Sequence, residues 1–560
     1  MSNPESATPP TLARDTTRTV LRSAGLILVV TLAARVFGFV RYLVFGASVG
    51  AGDVGTAYTS ANQVPNVLFE IVAGGALAAM VVPLIAGLLE QGTDQEDRAR
   101  AHQVVSALLG WMLLITVPIA IVIASGAEPL ARLILGSGTG EATDATVVLG
   151  ASMLRVFSLQ LPLYGVTVVL AAYLQAAKRF LWPALVPLIS SLVLILVYRL
   201  YAAVVPAVAT TETVSSLAEG VLAWGTTAGV LAMAVCLVVP CRRAGLRVRP
   251  TLRMPPGYGR RALSLAGAGL GAVGAQQLAL GLVLLLAMSA GGTGTLPVFQ
   301  YAQAVYLLPY AVLVVPVVTA VFPHLSAQRL IGDAQAYART ASGSLRMIVV
   351  LATVGAATLF AAGPALEAFF HQIDRAGATG VGATVAALSL GLVPYAITTQ
   401  CTRILSASLR ARDALVVGAV GWLVGGALIV LAATALVTGN AANAATGFAF
   451  ALSAGMWVSA LVGLGRVSDI LETAGSGPVL WRNTFVGGVA ALAAGIPGLV
   501  LGRAMLDLSQ GPLICMLVGI LTGLTGMVLA GVVMGLLDRD ASRRLLRAVR
   551  ARTRRRDRRA

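Results

Sequence analysis

Charge is scarce in this chain. Asp, Glu, Lys and Arg make up 11% of its 560 residues, where soluble globular proteins carry about 25%. With 57% hydrophobic residues and a mean hydropathy of +0.86, that shortage excludes a soluble domain and implies an integral membrane protein. Lysine is nearly absent, Lys178 being the only one, and histidine is limited to His102, His324 and His371, far apart in the chain. The cysteines, Cys236, Cys241, Cys401 and Cys515, sit in or beside apolar runs and form no CxxC pair. Neither a disulfide framework nor a metal site can be read from that spacing, and inert buried thiols are expected. Also missing are a Walker loop, HExxH, GxSxG and paired carboxylates in a loop that could hold an active site. No enzyme and no cofactor are therefore expected. The polar opening MSNPESATPPTLARDTTRTV lacks the apolar core and cleavage site of a removable signal peptide. That leaves the first apolar run as the targeting signal.

What the chain has is long apolar runs. A membrane-crossing helix needs about twenty predominantly apolar residues. Such runs lie at 24–49, 56–88, 102–124, 146–176, 181–204, 218–240, 262–290, 296–325, 345–363, 380–408, 414–438, 444–465, 484–504 and 512–536. They predict an all-α polytopic membrane protein of about fourteen transmembrane helices. Pro65, Pro162, Pro187, Pro316, Pro394 and Pro497 fall inside them, which a multi-helix bundle tolerates because neighbours satisfy the freed backbone groups.

Basic residues exceed acidic ones by 40 to 23, and they alternate with the runs. With a cytoplasmic N-terminus, the inside segments hold Arg14, Arg18 and Arg22, then Arg98 and Arg100, then Lys178 and Arg179. Seven arginines from Arg242 to Arg261 follow, then Arg329, Arg339 and Arg346, Arg410 and Arg412, Arg466 and Arg482, and eleven arginines after Leu537. Outside segments hold little beyond Arg132, Arg375 and Arg503. This obeys the positive-inside rule and predicts a multi-pass protein of the cytoplasmic (inner) membrane with both termini cytoplasmic. It also assigns the basic excess to anionic membrane lipids, with no nucleic acid partner.

The two sides of the basic stretch 241–261 echo one another. VVPLIAGLLEQGTDQEDRARA pairs with VFPHLSAQRLIGDAQAYARTA, GAEPLARLILG with AGPALEAFFHQ, and LQLPLYG…YLQAAKRF with LGLVPYA…SASLRARDA. Offsets of about 231–240 residues predict two six-helix lobes in parallel repeat, related by an axis along the membrane normal. The expected organisation is a tail at 1–21, lobes at 22–240 and 262–466 joined by a cytoplasmic linker at 241–261, spans 13 and 14 within 467–537, and a basic tail at 538–560. Gly519 and Gly523 form a small-residue step that lets helices approach closely.

Polar residues inside the runs are the most informative. An arginine near the centre of a spanning helix costs roughly 2.5–3.5 kcal/mol on insertion scales. It persists where it meets a watery cavity or an anionic ligand, unless it snorkels to a nearby surface. Arg35 and Arg41 in the first run are followed by Asn66 and Glu70, Arg155 and Gln160, Gln276 and Gln277, Gln300 and Gln303, and Gln400 and Arg403. Their similar places in the two halves predict a polar vestibule between lobes. Arg35, Arg41, Asn66, Glu70, Arg155 and Arg403 are the candidate substrate contacts. Glu70 has the alternative of pairing with an arginine, and the glutamines that of interhelical hydrogen bonding. Glu128 and Glu367, in mirrored places beside Pro129 and Pro364, suggest architecture.

ARVFGFVR (34–41), GAG (50–52), NQVPN (62–66) and VVP (81–83) resemble the opening of the MurJ/MviN lipid II flippase family. That family belongs to the multidrug/oligosaccharidyl-lipid/polysaccharide exporter superfamily. With the span count and the Pro-containing ends of spans 2 and 8, the resemblance covers nearly the whole chain, as a divergent member. It implies two six-helix lobes around a cationic cavity and a lipid-tail groove formed by spans 13 and 14. The implied substrate is undecaprenyl-diphosphate-linked disaccharide-pentapeptide, moved from the inner to the outer leaflet. The family's two functional arginines of the first span fall on Arg35 and Arg41. The chain departs at Thr56, where the family often has an acidic residue, and at Phe69 or Glu70 and at Ala304, where it has arginines. Arg155 or Arg403 could compensate.

Arginine suits a diphosphate because its planar fork binds phosphate oxygens bidentately. The alternatives are a flippase or exporter for another polyprenyl-linked glycan, and a cation-coupled drug exporter, for which carboxylates are missing from spans 1 and 7. A polytopic polymerase would need a large catalytic outer loop, and a non-transporting scaffold for cell-wall synthesis would tolerate loss of Arg35. Expected partners are the lipid-linked glycopeptide, anionic membrane lipids and cell-wall synthesis proteins.

Overall fold

The computed structural model describes residues 10–71, 84–85, 95–136, 141–206, 209–256, 258–436, 439–473, 475, 477–507 and 510–537. Every element among them is helical, as a solvent without hydrogen-bonding partners demands of the backbone. The first half comprises α1 (Pro10–Ser48), α2 (Asp53–Phe69), α3 (Gln95–Ser125), α4 (Ala127–Leu135), α5 (Glu141–Phe157), α6 (Gln160–Ala176), α7 (Leu181–Val204) and α8 (Ser216–Arg243). The second comprises α9 (Tyr258–Gly291), α10 (Thr295–Pro309), α11 (Val315–Ile331), α12 (Ala334–Ala361), α13 (Gly363–Ile373), α14 (Val381–Ser389), α15 (Leu392–Ala407), α16 (Ala411–Leu431) and α17 (Ala441–Arg466). The short α18 (Ser468–Thr473), then α19 (Gly477–Met505) and α20 (Pro512–Leu537) complete it.

Twelve helical segments among the described residues are long and apolar enough to cross a membrane, and the pair α14–α15, bent by 46°, makes a thirteenth. The remaining expected span, 56–88, is described as α2; most of its second half lies outside the described residues. Two expected spans are interrupted. The run 146–176 breaks at Ser158–Leu159 into α5 and α6. The run 296–325 carries a π turn, Tyr310–Val314, between α10 and α11. Pro316, at the start of α11, has no N–H to give the preceding turn, so the ladder widens there.

The duplication is visible in the backbone. Among the described residues, Lys178 (φ 59°) and Leu409 (φ 64°) are the non-glycine positions with positive φ. They occupy the same place in each half, the turns after YLQAAK and SASL. In the first half α1 packs on α7, α7 on α8, α3 on α6 and α2 on α5, while in the second α9 packs on α16, α16 on α17 and α12 on α15. Helices α19 and α20 pack on each other and on α12. In lipid such contacts depend on close van der Waals approach and small residues. A Cβ on Gly455 would lie 2.6 Å from the Gly425 nitrogen, and one on Gly526 would lie 2.6 Å from the Ala357 oxygen. Ile121, Val122, Leu196, Val489 and Leu517 are each more than half exposed, the surface that acyl chains cover. The principal contacts between halves run from α1, α2 and α4 to α9, α10 and α13.

Candidate functional site

The halves are fastened where α1 turns into α2. Asp374, on the turn after α13, is buried. Its Oδ1 accepts from the backbone N–H groups of Ala51 at 3.1 Å, Ala376 at 2.9 Å and Ala378 at 3.3 Å, and its Oδ2 from the Tyr301 hydroxyl at 2.8 Å. Burial pushes this carboxyl above the ordinary aspartate range, against the pull of those hydrogen bonds. Arg375 donates its backbone N–H to the Gly46 oxygen at 2.9 Å, and its guanidinium donates to the Ser48 and Pro206 oxygens, each at 2.7 Å. Gly294, before α10, donates to Thr56 Oγ1 at 2.9 Å, so the hydroxyl that stands where the family often has an acidic residue holds the turn leading into that helix. Gly50 has φ +81°, and a Cβ there would lie 2.9 Å from the Ala376 nitrogen, which explains the glycine of the GAG motif. Glu367 accepts from Gly380 and Gly382 N–H at 2.6 and 2.7 Å, an architectural role.

Beneath this closure sits an aromatic layer. Phe45 lies 5.5, 5.3 and 6.1 Å from the rings of Tyr58, Tyr198 and Tyr301. The Tyr58 hydroxyl meets those of Tyr198 and Thr226, each at 2.9 Å. A chamber of about 260 Å³ follows, bounded by Phe45, Tyr58, Tyr198 and Thr226 and by Arg41, Asn62, Gln63 and Gln300. Gln300 Nε2 donates to Gln63 Oε1 at 3.3 Å across the two halves, the interhelical role expected of the glutamines.

The chamber continues into a cavity of about 550 Å³, which brings together Arg35, Arg41, Asn66 and Glu70. Arg41 lies 5.0 Å above the Tyr42 ring, a cation–π contact. Tyr164 donates to Asn66 Oδ1 at 2.9 Å and stacks on Phe69 at 4.4 Å. Beyond Phe69 the chain winds as a π turn at Glu70 and Ile71. The ion pairs among the described residues involve neither arginine nor Glu70. The two cations and the carboxylate thus share one cavity without neutralising one another.

Arg155 and Arg403 do not line that cavity. Arg155 is exposed on the last turn of α5, and Arg403, also exposed, lies 5.4 Å from the Phe322 ring. In the second half Tyr310, which opens the π turn, and Tyr395 pair at 4.7 Å. A separate apolar cleft of about 270 Å³ lies between α12, α17 and α19, walled by Phe360, Trp457 and Phe485. The sequence reading missed Tyr42, Tyr58, Tyr164 and Tyr198. Four tyrosines in otherwise apolar runs, each with a hydroxyl to satisfy, were the available signal. It missed the Asp374–Arg375 closure as well, whose partners are largely backbone atoms.

A family model described as "Lipid II flippase MurJ" matches residues 45–530. The chain is 28% identical over 378 residues to a probable lipid II flippase MurJ of Rhizobium tropici, covering 66% of this chain and 67% of that one. It is 28% identical over 374 residues to the lipid II flippase MurJ of Burkholderia cenocepacia, covering 65% and 68%. Among solved structures, lipid II flippase MurJ in an inward closed conformation aligns with a TM-score of 0.67 at 18% identity, covering 92% of this chain and 99% of that one. An inward-facing multidrug resistance MATE family transporter of the MOP superfamily aligns at 0.62 and 14%, covering 80% and 99%. At those identities the two structures speak for the fold alone.

Proposed function

The chain belongs to the lipid II flippase MurJ family, and from that premise we propose that it carries lipid II from the inner to the outer leaflet of the cytoplasmic membrane by alternating access. One observation supports this most: Arg35 and Arg41 share a cavity with no carboxylate of the described residues within ion-pairing distance. Held in a membrane, unpaired guanidinium groups are costly unless an anion visits them, and a diphosphate matches their fork. Asn66 and Tyr164 add neutral hydrogen-bonding groups for a glycan. In this reading the polyprenyl tail stays in lipid, against the apolar cleft beside α19, while the headgroup enters the cavity. The termini and the linker at 241–261 are cytoplasmic, their arginines on anionic lipid, so the Asp374 closure faces outward. The lobes are 22–240 and 262–466, and cell-wall synthesis proteins are the natural recipients of the product.

The test is reconstitution in vesicles with lipid II and with other polyprenyl-linked glycans, scoring which substrate changes leaflet. Arg35→Gln should insert normally and weaken substrate engagement by roughly ten- to a hundredfold, the scale of one charge-assisted hydrogen bond. Arg35→Lys should recover part of that. Stable Arg35→Gln protein that flips lipid II at the normal rate would remove the diphosphate reading.

A further inference from the structure

We propose that Glu70 reads a primary ammonium on the peptide stem of the substrate, making the cavity a two-ended site for a dipolar headgroup. The inference rests on the lipid-linked glycopeptide reading above and adds a specificity residue to it. Glu70 lines the same cavity as Arg35 and Arg41, its side chain is exposed to it, and it forms no ion pair among the described residues.

The charges meet other groups. Tyr164 lines the same cavity: its ring packs on Phe69, the residue before Glu70, and its hydroxyl donates to Asn66 one turn earlier on α2. Arg41 is drawn to the Tyr42 face instead. A carboxylate and guanidinium groups in one low-dielectric cavity attract strongly, so an arrangement that holds them unpaired leaves each free for a ligand group of opposite sign. Glu70 keeps the α register of the helix that carries Asn66, its N–H donating to the Asn66 oxygen, and it opens the π turn at Glu70 and Ile71; single π turns are frequent at functional sites. A diphosphate alone would gain nothing from a carboxylate nearby and would be repelled by it. A diphosphate joined to a peptide that carries a free amine satisfies both ends. An ethanolamine headgroup offers the same ammonium, so the test must separate the two.

Full-length protein in detergent is titrated with three probes: a short-chain polyprenyl diphosphate, the complete glycopeptide lipid with its free side-chain amine, and the same lipid with that amine acetylated. Wild type should prefer the free amine over the acetylated form by about tenfold, one charge-assisted contact. Glu70→Gln should lose that preference, and should bind both the acetylated lipid and the polyprenyl diphosphate at least as tightly as wild type does. Glu70→Asp should retain part of the preference, which guards against misfolding of the neutral variant. Equal preference in wild type and Glu70→Gln would overturn the proposal. So would a Glu70-dependent competition by phosphatidylethanolamine with no effect of acetylation. If the polyprenyl diphosphate itself fails to bind, or binds independently of Arg35 and Arg41, the underlying functional reading fails instead.

Discussion

Replacing Asp374 with alanine should open the closed end of the cavity. Of its four hydrogen bonds, the one from Ala51 N–H joins the two halves, while those from Tyr301, Ala376 and Ala378 shape its own half. A hydrogen bond to a charged group contributes about 1.5–3 kcal/mol, so losing the cross-link should shift the closed-to-open ratio by roughly 10- to 150-fold. Asp374→Asn keeps an oxygen for the three backbone donors but loses the charge, and should fall between wild type and alanine. Arg375→Ala removes the guanidinium contacts to Ser48 and Pro206. Its effect should not add to that of Asp374→Ala, because neighbours in one network couple. The assay places a single cysteine at Thr59, on the chamber wall, with the four native cysteines replaced. The rate of labelling by an impermeant thiol reagent from outside is then measured. The rate should rise in the order wild type, Asp374→Asn, Asp374→Ala. Identical rates in all three, with an exposed control at Thr293 labelling normally, would show that helix packing alone keeps this end shut.

Three further outcomes are expected. Gly455→Ala should destabilise the second half by about 1–3 kcal/mol, the usual cost of overpacking, because the added methyl meets the backbone of α16; thermal unfolding in detergent reads this, and an unchanged midpoint would refute the contact. Single cysteines near Gly140, Thr210 and Asn440 should label from outside, whereas those near Arg253 and Arg550 should not; labelling at Arg253 would sink the proposed orientation. Truncation after Asp538 should leave flipping within about threefold, since the role expected of the basic tail is attraction to anionic lipid; loss of flipping in normally inserted protein would assign the tail a further role.

The fold was legible because a bilayer imposes one period and one length on every crossing helix, and the alternation of arginine reports each crossing independently. The interruptions were harder. Ser158–Leu159 lies among Arg155, Gln160 and Pro162, and the π turn at Tyr310–Val314 lies between Pro309 and Pro316, but a polar residue or a proline alone does not say whether a helix breaks, kinks or widens. At the site, Arg35, Arg41, Asn66 and Glu70 stood out by their expense in lipid and came together in one cavity. Arg155 and Arg403 stood out by the same argument but do not line that cavity, since burial cost says that a charge must be accommodated but not by which neighbour. For Arg403 the face of Phe322 is that neighbour.

The chemistry of the closure bears on how freely such a protein can drift. On the first half's side, the described hydrogen-bonding partners of Asp374 and Arg375 include the nitrogen of Ala51 and the oxygens of Gly46, Ser48, Val205 and Pro206. Main-chain atoms are supplied by every amino acid except for the proline nitrogen, so substitutions at these positions can accumulate without erasing the contact, provided Gly50 keeps its turn. A comparison of related chains would then find invariance on one lip of the gate and near-neutral variation on the other. Complementary charge swaps, the usual trace of a coupled pair, would be absent. A gate of this kind can be inherited through long divergence while leaving half of itself invisible to any statistic computed on side chains.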